Sequence, residues 1–330
     1  VTMRLFFLIL LFLNINLAAD EYNFGEGINI PHTPIYVGGY ATLDYVSRAD
    51  NYNRFRVDEL SILSYGSNDR FSYMADFGLR DSYIKEWGSD DSSTTDSTIS
   101  IERLYIDYQV NDSIRVRAGK FNTPAGYWNM EPINIFRETS SIPYTAFLVF
   151  PRFTSGLEVK YANSLYSDTE YSVVIQHNED LDDTYNNIAI DKHYLASIEH
   201  FFSDSLKSKA NIGYFFSTID NRDYYYALLA LSYEAPKYKI FAEAGSRRNE
   251  TEFSVPYSFY LQGSWHLTQE HDLVTRIEAY KIDEGAFREE VVGVLGYTYR
   301  PVSPFTFKIE YRDHSYQNEN QIRTSVSVMF

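Results

Sequence analysis

Cysteine is absent from the 330 residues, which excludes a disulfide framework, zinc-cysteine sites and thiol nucleophiles together. Positive charge is scarce: 29 Lys and Arg stand against 45 Asp and Glu, a formal net charge of -16. A nucleic-acid binder needs a basic footprint, so that class is set aside. Long hydrophobic runs are missing too. Beyond the amino-terminal segment the longest unbroken apolar or Tyr run is "YYYALLAL", Tyr224 to Leu231, far short of the ~20 apolar residues that a membrane-crossing helix needs. If the chain sits in a membrane, it must cross as a closed barrel, in which every backbone group is paired within the sheet.

What is abundant is aromatic: 30 Tyr, 23 Phe and three Trp make 17% of the chain. Such content without long apolar runs suits a sheet that faces lipid on one side and water on the other. The start, "MRLFFLILLFLNINLAAD", has Arg4, an apolar run from Leu5 to Leu13, and Ala18 and Ala19 before Asp20. That order predicts a cleaved signal peptide over 1–19 and therefore export. The expected organisation is a signal peptide (1–19), a periplasmic segment (20–33) and a transmembrane β-barrel (34–330).

Alternation of period two recurs along the chain. "FTFKIEYRD" sets Phe305, Phe307, Ile309 and Tyr311 against Lys308, Glu310 and Arg312; "DLVTRIEAY" sets Leu273, Thr275, Ile277 and Ala279 against Arg276, Glu278 and Tyr280; "IRTSVSVMF" places Ile322, Val326, Val328 and Phe330 on one face. Strands are predicted near 34–46, 54–65, 70–80, 97–110, 114–121, 154–162, 168–177, 190–202, 206–217, 222–234, 237–246, 252–266, 271–282, 287–299, 304–313 and 320–330. Arg54 to Tyr65 chooses no face, and Tyr224 to Leu231 is apolar on both. The count, about 16, is even, as bacterial barrels require. Short links at 66–69, 111–113, 203–205, 235–237 and 301–304 alternate with longer ones such as 81–96 and 177–190, which suits periplasmic turns and external loops. Both long links are acidic, with Asp81, Glu86, Asp90, Asp91 and Asp96 in one and Glu179, Asp180, Asp182 and Asp183 in the other. They are expected to be solvated, with cation gathering as the alternative.

One stretch breaks the pattern. Residues 122–152, "NTPAGYWNMEPINIFRETSSIPYTAFLVFPR", carry four of the ten prolines. An unstructured link of that length is uncommon unless functional, and Ala146 to Phe150 are too apolar to stand in water. The stretch is predicted to fold back against the barrel wall and narrow the lumen; an external flap or a contact between subunits is the alternative.

"IERLYIDYQVNDSIRVRAGKFNTPAGYWN", Ile101 to Asn129, resembles the porin family that includes the phosphate-selective porins O and P. A strand, a tight turn and a basic strand lead through a G-[RK]-F-x-T-P-x-G stretch, here Gly119, Lys120, Phe121, Thr123, Pro124 and Gly126, into the third loop. The resemblance implies a 16-stranded barrel, commonly trimeric, whose third loop constricts the pore. Terminal Phe330, with apolar residues at alternate positions before it, resembles the signature read by the outer-membrane assembly machinery.

The expected function is passive diffusion of small hydrophilic solutes or ions, anions such as phosphate among them, with no covalent chemistry and no cofactor. Pore-constriction candidates are Arg103, Arg115, Arg117, Lys120, Arg137, Glu131 and Glu138; Lys120 follows the lipid face by parity and is expected at a rim. Lumen-lining candidates by parity are Asp76, Arg80, Asp107, Lys239, Glu243, Arg276, Glu278, Lys308, Glu310, Arg312 and Arg323. The expected partners are outer-membrane lipid and lipopolysaccharide, the assembly machinery and two further copies of the chain. A non-conducting barrel, acting as adhesin or structural protein, is the competing reading. A barrel hydrolase would need Ser and His to meet at one height, and no motif compels it. His193 and His200 face opposite sides of one strand, so they share no metal.

Overall fold

The computed structural model describes residues 25–88, 91–162, 168–284, 288–315 and 319–330; the expected signal peptide lies outside the described residues. Among the described residues, in chain order, the strands are β1 (Ile28–Asn29), β2 (Ile35–Arg48), β3 (Asn53–Asn68), β4 (Phe71–Trp87), β5 (Ser92–Thr95), β6 (Ser100–Asn111), β7 (Ile114–Asn122), β8 (Phe153–Ala162), β9 (Thr169–Gln176), β10 (Ile190–Phe201), β11 (Leu206–Ser217), β12 (Arg222–Ala235), β13 (Tyr238–Asn249), β14 (Phe253–His266), β15 (His271–Ile282), β16 (Arg288–Val302), β17 (Phe305–His314) and β18 (Gln321–Met329), with a short α-helix, α1 (Tyr144–Leu148), and 3-10 turns at Trp128–Met130 and Asn134–Phe136. β1 and β5 only extend their neighbours β2 and β4. The other sixteen form the wall in sequence order, antiparallel throughout, and β18 pairs back onto β2.

Closure leaves no edge strand to aggregate. It runs from Gln321 opposite Arg48 to Met329 opposite Tyr40. Phe330 prolongs it: its N–H donates to Gly39 O at 2.8 Å and its carbonyl accepts from Gly39 N–H at 2.7 Å. A Cβ on residue 39 would lie 2.8 Å from the Phe330 ring, so only glycine admits the ring there.

The period-two pattern sorts the two faces as expected. On β15, Asp272, Val274, Arg276, Glu278 and Tyr280 are buried inside while Leu273 and Ile277 are exposed to the lipid side. Where Arg54 to Tyr65 chooses no face, the strand is irregular. Register shifts between Val57 and Glu59, and between Thr42 and Leu43, reverse the parity of β3 midway. Arg54 and Arg56 therefore face inward with Glu59 and Ser61. Two expectations need correction. β4 runs on to Trp87, so Asp81 and Glu86 belong to a strand and not to an external loop; Asp90 lies outside the described residues. Long and short links also alternate less strictly than expected, because the connections at 49–52, 218–221 and 250–252 are themselves tight turns.

The apolar core lies inside the barrel, between the wall and residues 122–152. Phe121, Ala125, Tyr127, Trp128, Ala146, Val149 and Phe150 pack against Leu195, Phe215, Tyr224, Tyr226, Leu228, Phe241 and Tyr260. This explains why Tyr224 to Leu231 is apolar on both faces: one side meets lipid and the other meets the loop.

Candidate functional site

The stretch between β7 and β8 is tied to inward-facing wall side chains along its length. Glu243 on β13 accepts from Tyr127 N–H at 2.6 Å and Trp128 N–H at 3.0 Å. Lys239 holds Glu131 at 2.6 Å and Glu138 at 3.0 Å. Glu310 accepts from Ser140 N–H, from Ser140 Oγ at 3.0 Å and from Ser141 Oγ at 2.5 Å. Arg276 donates to Thr139 Oγ1 at 2.9 Å and Ser141 Oγ at 2.6 Å, Glu278 accepts from Tyr144 N–H at 2.7 Å, and Lys308 donates to the Asn134 backbone carbonyl. A loop buried without regular structure must find partners for its backbone, and the charged rows of the wall supply them.

The glycines of the G-[RK]-F-x-T-P-x-G stretch have physical reasons. Gly126 has φ +66°, and a Cβ there would stand 2.6 Å from the Glu243 carboxylate; only glycine brings the Tyr127 and Trp128 amides onto it. Gly119 has φ +125°, with Leu104 O 2.1 Å from where a Cβ would sit. Lys120 keeps the ladder register, opposite Leu104 and Ser155, and is fully buried, not exposed at a rim, because Asp182 of the link after β9 covers it: it donates to Ile101 O at 2.7 Å and to Asp182 O.

Asp182 belongs to residues 177–189, which keep Glu179 and Asp183 exposed but lean on β8 through Leu181 N–H to Ser155 Oγ at 3.1 Å. Its carboxylate accepts from Ile101 N–H at 2.8 Å and Thr184 N–H at 2.9 Å. Burial raises the Asp182 pKa, but those hydrogen bonds outweigh it and hold the carboxyl below its ordinary range. Asp180 takes Asn186 Nδ2 at 2.8 Å. These two acids of the expected external cluster are thus structural acceptors.

Beside the loop a cavity of about 310 Å³ remains, lined by Arg54, Arg56, Asp58 and Glu59 of β3, Arg80 of β4, Glu102 of β6, Arg312 and Arg323, with Pro132, Asn134, Arg137, Ser140, Ile142, Tyr144, Phe147, Arg152, Phe153 and Tyr185. Seven arginines therefore face three carboxylates. Asp44 and Asp81 reach Arg56 from behind, at 3.0 Å each, and the arginines still outnumber the acids seven to five. Among the described residues Arg54, Arg80, Arg137, Arg152 and Arg312 form no ion pair. Neutral acceptors hold Arg80, Arg137 and Arg152 instead. Arg80 donates to Thr184 O at 3.1 Å, and Arg137 donates to Glu131 O at 2.5 Å and lies 4.0 Å over the Trp128 ring. Burial, with Arg137 and Arg80 alongside, pulls the Arg152 pKa down; the site concentrates positive charge that an anion would compensate.

Of the constriction candidates only Arg137 lines this cavity. Arg115 pairs with Glu158 at 3.2 Å, Arg117 with Asp107 at 2.7 Å and Arg103 with Asp76 at 2.6 Å, so the expected basic patch of Arg115, Arg117, Lys120 and Arg137 does not form. Of the lumen candidates, Arg80, Arg312 and Arg323 reach the cavity. Glu243, Arg276, Glu278, Lys308 and Glu310 face inward but are covered by the loop, each at most 3% exposed. Asp76 and Asp107 are likewise buried in their ion pairs. Sequence reasoning missed Arg54, Arg56, Glu59, Glu102, Arg152 and Tyr185. The alternation of "RFR", Arg54 to Arg56, was the available signal for the first two; Tyr185 arrives from a link that looked external.

A sixteen-stranded closed barrel with a lipid-facing apolar surface and a long loop on its inner wall is an outer-membrane barrel of the porin class. Residues 41–328 match the family described as "Putative beta-barrel porin-2, OmpL-like", and the chain belongs to that family. The match supports the porin class that residues 101–129 resemble, but not its phosphate-selective branch. Similar folds include the outer membrane channel DcaP of Acinetobacter baumannii (11% identity, TM-score 0.61, 92% of this chain and 100% of that one). OmpF of Salmonella typhi is similar at 14% identity and TM-score 0.63, over 90% and 97% of the two chains. OmpT of Vibrio cholerae, in its trimer form, is similar at 11% identity and TM-score 0.59, over 90% and 99%. At such identities the likeness is one of fold. No curated protein matches the sequence.

Proposed function

We propose that this protein is a passive porin that lets small hydrophilic solutes cross the outer membrane and favours anions. The observation that carries the reading is the arginine-lined cavity between the inward loop and β3, β4 and β6. A pore sorts solutes by its width and by the charge at its narrowest part, and among the described residues the arginines of this lining that form no ion pair outnumber the two such acids, Glu59 and Glu102. Phosphate is among the anions such a lining admits, in keeping with the resemblance at Gly119 to Gly126. The loop acts as the constriction, and the buried wall charges act as its anchors. Export by a cleaved leader, assembly through the segment ending at Phe330, and a homotrimer in lipid and lipopolysaccharide complete the reading; the trimer form of OmpT supports the last.

A non-conducting barrel that displays its loops is favoured by one observation, the apolar cluster that fills one side of the interior. Planar-bilayer recording from the refolded chain separates the two. Discrete, long-lived current steps support the porin; a well-folded barrel that carries no current supports the other reading.

A further inference from the structure

The cavity is not uniformly polar. The lining also carries Ile142, Tyr144, Phe147, Phe153 and Tyr185, and Phe147 leaves 48% of its surface exposed. α1 presents it there: Tyr144 and Leu148 pack against Tyr280, Val292 and Val294, and Phe147, at the edge of that packed face, stays uncovered. Arg312 is only 8% exposed, its Nε has no hydrogen-bond partner among the described residues, and its guanidinium lies 5.7 Å from the Tyr144 ring. The Nε atoms of Arg54 and Arg323 also lack acceptors. A buried cation with a free donor, beside an uncovered aromatic ring, is half of a recognition site.

We propose that the cavity is a binding site for a ring-bearing organic monocarboxylate, whose carboxylate meets Arg312 and its neighbours while its apolar body covers Phe147. The proposal deepens the porin reading and rests on it for the route by which the solute arrives. Phosphate needs donors on every side and gains nothing from Phe147, and acetate has no body to cover the ring. Glu102 closes the same cavity, and a second carboxylate on the solute placed beside it would meet like charge. A guanidinium fork suits one carboxylate held in two parallel hydrogen bonds.

The test adds sodium benzoate, acetate or phosphate to the refolded full-length chain while single-channel current is recorded. Benzoate is expected to interrupt the current with an apparent affinity about tenfold tighter than acetate or phosphate. Phe147→Ala is expected to erase that advantage while leaving phosphate unchanged, and Arg312→Gln to weaken all three anions. Equal effects of benzoate and acetate, or an advantage that survives Phe147→Ala, overturn the proposal while the porin reading stands. If no current flows, the porin reading fails by itself, and titration calorimetry in detergent micelles decides the site. Saturable benzoate binding that Phe147→Ala removes supports it; none overturns it. Phe147→Leu, which keeps an apolar side chain of similar bulk, serves if the alanine variant does not fold.

Discussion

At the scale of single residues, the wall charges divide into those that hold the loop and those that face open space. Glu310 is of the first kind: two serines and their amides converge on its two oxygens. Glu310→Ala leaves those donors without an acceptor. It is expected to cost about 3 kcal/mol of stability, read as a lower unfolding temperature in detergent, together with a noisier open current. An unchanged unfolding temperature would show that the loop is not held there. Parity placed Glu310 on the inner face from the sequence alone, but its partners lie about 170 residues away and no local pattern announces them. Arg54 and Arg56 were hidden for another reason. A β-bulge is a one-residue event, and it inverts the face of everything beyond it.

At the scale of elements, the strands were legible because each buries one face and wets the other in its own fashion, period after period. The loop's existence was legible from its length and prolines; its path was not, since it depends on the inner faces of β11 to β18. α1 narrows the cavity, so replacing Tyr144–Leu148 with a Gly-Ser segment is expected to raise single-channel conductance at least about twofold, following the wider aperture. No change in conductance would place the constriction elsewhere. The link at 177–189 makes a prediction of the opposite kind. Because hydrogen bonds hold the Asp182 carboxyl below its usual value, its contribution is present at neutral pH and is lost as pH falls through that depressed value. Hydrogen exchange at the Ile101 amide should therefore differ between the native chain and Asp182→Asn at pH 7, and the difference should shrink as the solution is acidified through that range. A difference that persists in acid would mean that the link is held by other contacts.

At the scale of the molecule, a chain of net charge -16 encloses a cavity where arginines outnumber acids. The two facts are compatible because selectivity is set at the narrowest part, within a Debye length of ~10 Å at ordinary salt, and not by the overall sum. Composition alone pointed to an acidic protein; only the folded arrangement gathers Arg80, Arg137, Arg152 and Arg312 around one space. The measurement that bears most directly on this is the reversal potential of the refolded barrel under a potassium chloride gradient, with Arg80→Gln/Arg312→Gln alongside. The account predicts a potential of the sign set by chloride, moving toward zero in the double variant. A potential of the sign set by potassium, unmoved by the two substitutions, would contradict it.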